Sequence, residues 1–256
     1  MPPDARPAFL DHTPPLPIAH RGGALEVEEN TLPAFAHAAA LGYQHIELDV
    51  HASRDGEVVV HHDPTFARMT GEARGVADLD WYQISRLRTH GGAEIPRLDA
   101  VLETFPDLCF TVEAKCDAVI DPLAAVLRRA GALGRVCVGA FRAARTRRLR
   151  QLLGEDLLWS PAHSGVIGLM LRGWGVPIPP GGFRIVQVPP TYRGVPVVTR
   201  RFVRAAHAAG IRVQVWTVDD EAGMERLLDM GVDGIMTDRP RLLKEVLIRR
   251  GQWSGA

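Results

Sequence analysis

The sequence predicts an α/β fold, a TIM-like (β/α)8 barrel with a small insertion at the face where such barrels carry catalysis. Three observations predict it. Short β-like runs alternate with helical stretches of about ten residues from one end to the other, the pattern of parallel βαβ units. Glycines 42, 131, 154, 210 and 231 stand just past helical stretches, where a left-handed C-cap is wanted. The length of 256 residues suits one barrel domain.

In order, the strand-like runs are 17–20, 45–52, 58–62, 108–115, 135–141, 157–161, 185–189, 212–218 and 234–238. Helical stretches fall at 32–41, 118–130, 143–153, 200–209, 221–230 and 241–248. Nine strands exceed the eight a barrel needs. Arg54-Asp55-Gly56 resembles a tight turn, so 57–62 reads as a strand extension or hairpin beside the barrel mouth. Residues 63–95, polar and interrupted by glycines 71, 75, 91 and 92, read as a small insertion within one domain spanning 17–250. Residues 1–16 read as a flexible, proline-rich start. A doubly wound sheet competes, but the first βα turn, His20-Arg21-Gly22-Gly23, lacks the G-x-G-x-x-G fingerprint.

Lys plus Arg and Asp plus Glu both total 30, so no global field favours nucleic acid, and no stable membrane association is expected. Cys109, Cys116 and Cys137 form no C-x-x-C pair and leave an odd count, which suits core cysteines in a reducing compartment. The start lacks an apolar run fit for a signal peptide, and no run of about 18 apolar residues occurs. A cytoplasmic protein is expected. Only Lys115 and Lys244 among the 30 basic residues are lysine.

Five constellations end predicted strands, where barrel enzymes place their sites. His20-Arg21-Gly22 closes the first. In Ile46-Glu47-Leu48-Asp49-Val50, alternation sets Glu47 and Asp49 on one face and the apolar residues on the other. Two carboxylates on one barrel-facing stripe repel, and a hard divalent cation, Mg²⁺ or Ca²⁺, removes the conflict. His61-His62-Asp63-Pro64 follows Val58-Val59-Val60. Glu113-x-Lys115 offers a third carboxylate and a compact cation for a phosphate oxygen, or else an ion pair capping the strand. Gln214-x-Trp216-Thr217 adds a Trp that is either core or pocket. Three carboxylates, two histidines and an Arg–Lys pair make the inventory of phosphoryl transfer. Glycoside hydrolysis needs no such cationic clamp, and a Ser–His hydrolase of the G-x-S-x-G type is absent.

These residues resemble the glycerophosphodiester phosphodiesterase family. The resemblance runs through Ile18-Ala19-His20-Arg21-Gly22, Glu29-Asn30-Thr31, Ala34-Phe35, Glu47-Leu48-Asp49-Val50, Asp55-Gly56 and His62-Asp63-Pro64. It continues through Ile95-Pro96-Arg97-Leu98 before a helix, Glu113-x-Lys115, Val215-Trp216-Thr217-Val218 and Gly234-Ile235-Met236-Thr237-Asp238-Arg239-Pro240, covering about 18–247. It implies metal-dependent cleavage of a glycerophosphodiester to glycerol 3-phosphate and an alcohol. Glu47, Asp49 and Glu113 would be metal ligands, His20 and His62 the acid–base pair, Arg21 and Lys115 phosphate contacts, and Trp216 a pocket wall. Glu28 stands where the family often has Pro, and Ala140 where Ser is common, which bears on substrate preference. His51 and His61 are expected on other layers or faces.

One histidine would deprotonate a nucleophile, either water or the substrate's neighbouring hydroxyl, while the other protonates the leaving alkoxide. A sphingomyelinase-D-like lipid phosphodiesterase and a catalytically silent phosphodiester-binding protein are the alternatives. The first would be expected to be secreted and disulfide-bearing, and the second would need an essential group to be missing. No aromatic cage for a choline head group is evident.

Overall fold

A computed structural model describes residues 8–254. Its strands are β1 (Leu16–His20), β2 (His45–Ala52), β3 (Val58–Val60), β4 (Cys109–Ala114), β5 (Val136–Gly139), β6 (Leu158–Trp159), β7 (Ile185–Val188), β8 (Thr191–Tyr192), β9 (Val195–Pro196), β10 (Arg212–Val215) and β11 (Gly234–Thr237). The order β6-β5-β4-β2-β1-β11-β10-β7 sets successive barrel strands side by side, all in parallel. In an open sheet β6 and β7 would be far apart. Here the Gln187 backbone N–H donates to Ser160 Oγ at 3.0 Å, so the two ends meet. A side chain closes the seam because β6 spans only two residues and its ladder stops short. The result is a nearly closed eight-stranded barrel. β3 folds back antiparallel on β2, pairing Val50 with Val60, as the Arg54-Asp55-Gly56 turn suggested.

Around the barrel lie α1 (Leu32–Ala40), α2 (Ala67–Thr70), α3 (Trp81–Ile84), α4 (Leu98–Thr104), α5 (Ile120–Arg129), α6 (Ala143–Leu153), α7 (His163–Gly173), α8 (Arg200–His207), α9 (Glu221–Met230) and α10 (Pro240–Arg249). Strand alternation divides the core. Ile46, Leu48, Val50, Phe110 and Val112 face outward into the layer packed by α1, α4 and α5. The inward stripe of β2 is His45, Glu47 and Asp49, and β4 aligns Cys109, Thr111 and Glu113 with them in register. Each stripe grades from apolar or neutral at the bottom to charged at the top.

The start of the chain differs from expectation. Residues 1–7 lie outside the described residues, but from Ala8 onward the segment is packed rather than loose. Phe9 and Leu10 are 1% and 3% exposed and seal the bottom of the barrel against Cys109, Cys137, Leu158 and Ile185. His12 accompanies them, 2.8 Å from the buried His45. Prolines at 7, 14, 15 and 17 dominate the composition around Phe9 and Leu10 and mask this apolar pair. The insertion at 63–95 holds its own small core of Phe66, Val76, Leu79 and Ile84 over Val59. Outside the insertion, which itself carries α2 and α3, the structure adds α7 and the β8–β9 hairpin to the expected elements. Gly165, Gly168 and Gly173 depress helix propensity in α7, so local sequence gave no helical signal there.

Candidate active site

A cavity of about 310 Å³ opens at the C-terminal ends of the strands and gathers His20, Arg21, Glu47, His62, Glu113 and Lys115. Local sequence explains how the first turn presents its groups. Gly22 at φ 86° lies so close to α1 that a Cβ there would sit 2.7 Å from the Ala34 Cβ. Arg21 itself is at φ 52°, a left-handed backbone held by the fold, and its carbonyl accepts the Asn30 N–H at 2.9 Å. Thr31 caps α1, its hydroxyl accepting from the Ala34 N–H at 3.2 Å, which anchors the loop carrying Glu29 and Asn30.

Glu47, Asp49 and Glu113 each bring a carboxylate oxygen within 4.8 Å of the other two. Glu47 is 4% exposed, and burial, then the neighbouring Asp49 charge, push its carboxyl up to about 8. Asp49 goes the other way: burial opposes ionisation, but the Lys115 and Arg21 cations outweigh it and hold its carboxyl below the usual range. Lys115 Nζ stands 2.9 Å from Asp49 and 2.7 Å from Glu113. Asn30 Nδ2 donates to Asp49 Oδ2 at 2.9 Å. A buried oxygen-only cluster in which burial, and then mutual repulsion, push one member toward neutrality fits a hard divalent cation.

His20 Nδ1 lies 2.7 Å from Asp238 Oδ1, leaving Nε2 3.7 Å from Glu47. Burial alone would lower the His20 pKa, but Glu47 and Asp238 outweigh it, so the imidazolium is favoured. His62 Nδ1 lies 2.6 Å from Asp63 Oδ1. Asp63 in turn meets Arg68, Arg68 meets Glu29, and Glu29 meets Arg21. Burial works against the Asp63 charge, yet Arg68 and His62 pull its carboxyl down to about 2. His20 and His62 are thus each oriented by an aspartate through Nδ1.

All eight sequence-designated residues belong to this region: seven line the cavity, while Asp49 lies beneath it, paired to Arg21 and Lys115. Two behave differently from expectation. Lys115 and Arg21 are engaged with carboxylates, so the ion-pair reading of Glu113-x-Lys115 holds in this state. Arg21 Nε lies 3.2 Å from Asp49, poorly aligned for a hydrogen bond. Trp216 serves both roles, packing on Leu16, Ile18 and Met236 and lining the cavity. His51 and His61 turn to backbone carbonyls of His62 and Thr65 and do not line the cavity.

Asn30, Asp63 and Asp238 carry roles that chain order alone did not assign, although each belongs to a short motif quoted above. Arg68 gave no signal, since its partners are Glu29 and Asp63, brought together by the insertion. Nor did the sequence show that rings converge. Phe141 stands 5.9 Å from Trp216 and 6.1 Å from His163, which stands 5.5 Å from Tyr192.

Comparison with known proteins agrees with this geometry. The model of the glycerophosphoryl diester phosphodiesterase family matches residues 20–159 and 180–242. A probable glycerophosphodiester phosphodiesterase 2 of Mycobacterium tuberculosis is 39% identical, with 97% of this chain and 96% of that protein covered. The crystal structure of a putative glycerophosphoryl diester phosphodiesterase from Silicibacter pomeroyi superposes with a TM-score of 0.79 at 24% identity, covering 93% of this chain and 95% of that one. An Oleispira antarctica phosphodiesterase, solved with the product sn-glycerol-3-phosphate, gives a TM-score of 0.75 at 20% identity over 92% of this chain and 97% of its own.

Proposed function

The chain belongs to the glycerophosphoryl diester phosphodiesterase family, and from that premise we propose that it hydrolyses glycerophosphodiesters to glycerol 3-phosphate and an alcohol by histidine acid–base catalysis beside a carboxylate-bound divalent cation. The observation that carries the reading is the convergence of two aspartate-oriented histidines and a three-carboxylate cluster in one cavity.

Glu47, Asp49 and Glu113 would hold the cation, Mg²⁺ or Ca²⁺, which when bound would offset phosphate charge. Release of Asp49 and Glu113 from Lys115 would free its ammonium for a phosphate oxygen, and Arg21 would turn its guanidinium to the same group. His20 and His62, each fixed at Nδ1, present Nε2 as the atom that moves a proton. One takes a proton from water or from the neighbouring glycerol hydroxyl, and the other gives one to the leaving alkoxide. Asp238 favours the imidazolium at His20, and Asp63 holds the His62 ring through Nδ1. Trp216 and the apolar wall exclude water from the reacting groups.

The substrate is a small glycerophosphodiester, with no nucleic acid partner. A cytoplasmic location is supported by three cysteines that form no disulfide. Among the described residues no helix is long and apolar enough to cross a membrane. The deciding experiment measures glycerol 3-phosphate released from glycerophosphocholine with and without a chelator. Metal-dependent release is expected, and a total lack of release with added Mg²⁺ or Ca²⁺ would leave a phosphodiester-binding protein.

A further inference from the structure

Charge averaged over the whole chain conceals where the charges sit. The chain holds 30 acidic residues, yet none occurs between Asp156 and Asp219, a stretch that carries seven arginines. That stretch builds one flank of the cavity mouth: α7, the β8–β9 hairpin and the start of α8.

α7 has a single charged side chain, Arg172. His163, Val166, Ile167 and Met170, spaced i, i+3, i+4 and i+7, line the cavity, and Leu169 is buried in the core. The outer face of such a helix is ordinarily polar. Here Leu171 is 42% exposed and Trp174, just past the helix end, is 73% exposed. Tyr192 and Val195 on the hairpin are exposed as well, and the Tyr192 ring stands 5.5 Å from His163 at the start of α7. Between Ser164 and Arg172 the helix carries only apolar residues and glycine, and Ile167 and Leu171 stand in solvent.

Cations rim the patch. The Arg201 guanidinium lies 5.2 Å from the Trp174 ring centre, and that of Arg193 lies 5.6 Å from the Tyr192 ring centre. Among the described residues, Arg193, Arg200 and Arg201 have no carboxylate partner. Several surface arginines elsewhere are paired, as Arg148 with Asp121 and Arg250 with Glu225 and Asp229, while Arg129, Arg147, Arg226 and Arg239 have no carboxylate partner among the described residues. What sets this flank apart is that no acid occurs in its stretch of chain.

We propose that this flank docks on an anionic lipid bilayer surface, with Leu171, Trp174, Tyr192 and Val195 among the headgroups and the three arginines against lipid phosphates. Trp and Tyr favour the water–lipid boundary, and arginines near an anionic leaflet add attraction. A second copy is the poorer occupant, because an isologous contact would set the same unpaired arginines against one another. The patch is continuous with the apolar cavity wall through α7, so docking turns the mouth toward the bilayer. The chain lies on the surface without crossing it. Balanced composition argued against stable membrane association, but segregation of the charges makes a local attractive face.

The test is co-sedimentation of the full chain with two vesicle preparations, phosphatidylcholine alone and phosphatidylcholine mixed with phosphatidylglycerol. Binding to the mixed vesicles only, weakened by salt, is expected. Leu171→Glu and Trp174→Glu, both outside the cavity lining, should each weaken that binding roughly tenfold or more. Both variants should keep wild-type release of glycerol 3-phosphate from water-soluble glycerophosphocholine, which also shows that they fold. No vesicle binding by an active wild-type chain overturns the proposal, as does a vesicle-free dimer that Trp174→Glu dissociates. Vesicle binding with no hydrolysis would overturn the catalytic reading and leave the docking surface standing.

Discussion

Asp238, at the end of the last barrel strand, holds His20, at the end of the first, through a 2.7 Å contact with Nδ1. The backbone N–H of Asp238 donates to Asp219 Oδ1 at 2.7 Å, so the aspartate is itself fixed. Closure of β11 on β1 is what brings a pair separated by most of the chain into contact.

Replacing Asp238 with Asn should lower turnover by roughly 10²-fold, since an oriented imidazole is worth that order in proton transfer. Glu47 and Asp238 raise the His20 pKa against the opposing effect of burial, so losing Asp238 lowers it. The limb of the pH–rate profile that reports His20 should therefore move to lower pH. A profile unchanged in both height and position would remove Asp238 from the mechanism.

Ala at Glu47, Asp49 or Glu113 should weaken divalent-cation binding and cost about 10²-fold or more in activity. Calorimetric titration with Mg²⁺ and Ca²⁺ reads the first, and glycerol 3-phosphate release reads the second. Full activity in a chelator-treated, metal-free sample would end the metal reading.

His20→Ala and His62→Ala should each lose about 10² to 10⁴-fold in turnover. Because both serve one mechanism, the double variant should fall far short of the product of the single losses. Asp63→Asn should follow His62→Ala more weakly, as it loosens the ring and keeps it. Near-wild-type turnover in either alanine variant would take that histidine out of the reaction.

The phosphate-gripping groups are common to all glycerophosphodiesters, so glycerophosphocholine, glycerophosphoethanolamine and glycerophosphoglycerol should differ in kcat/KM by less than roughly 200-fold. The Phe141–Trp216 and His163–Tyr192 contacts are the feature most able to break this tolerance. A preference beyond that range, abolished by Phe141→Ala, would assign these rings to the leaving alcohol.

Phe9→Ala should destabilise the fold by about 3–5 kcal/mol in urea unfolding, because the ring is buried in the barrel bottom with few atoms able to fill its place. Loss below about 1 kcal/mol would mean that the N-terminal segment is not part of the cooperative barrel.

Much of this was legible in order along the chain. The alternation of Ile46, Leu48 and Val50 with Glu47 and Asp49 gave the faces of β2 before any partner was known, because a strand's period of two is local. The five motif positions gave the strand ends that bear chemistry. α7 was invisible because its glycines erase local preference, and only packing between the cavity and α8 makes it a helix. Phe9 and Leu10 were invisible because an apolar pair amid prolines has no period to read.

By itself the sequence determined the barrel and the inward stripe of Glu47 and Asp49, since strand periodicity and short motifs act over a few residues. Tertiary structure alone decided which group orients which. It set Asp238 on His20, ran the chain of charges from His62 through Asp63, Arg68 and Glu29 to Arg21, and gathered an acid-free flank at the mouth. Those relationships depend on strand closure and on the insertion folding over the rim. Electrostatic energy is set by distance in space, and distance in space is what the order of residues leaves open.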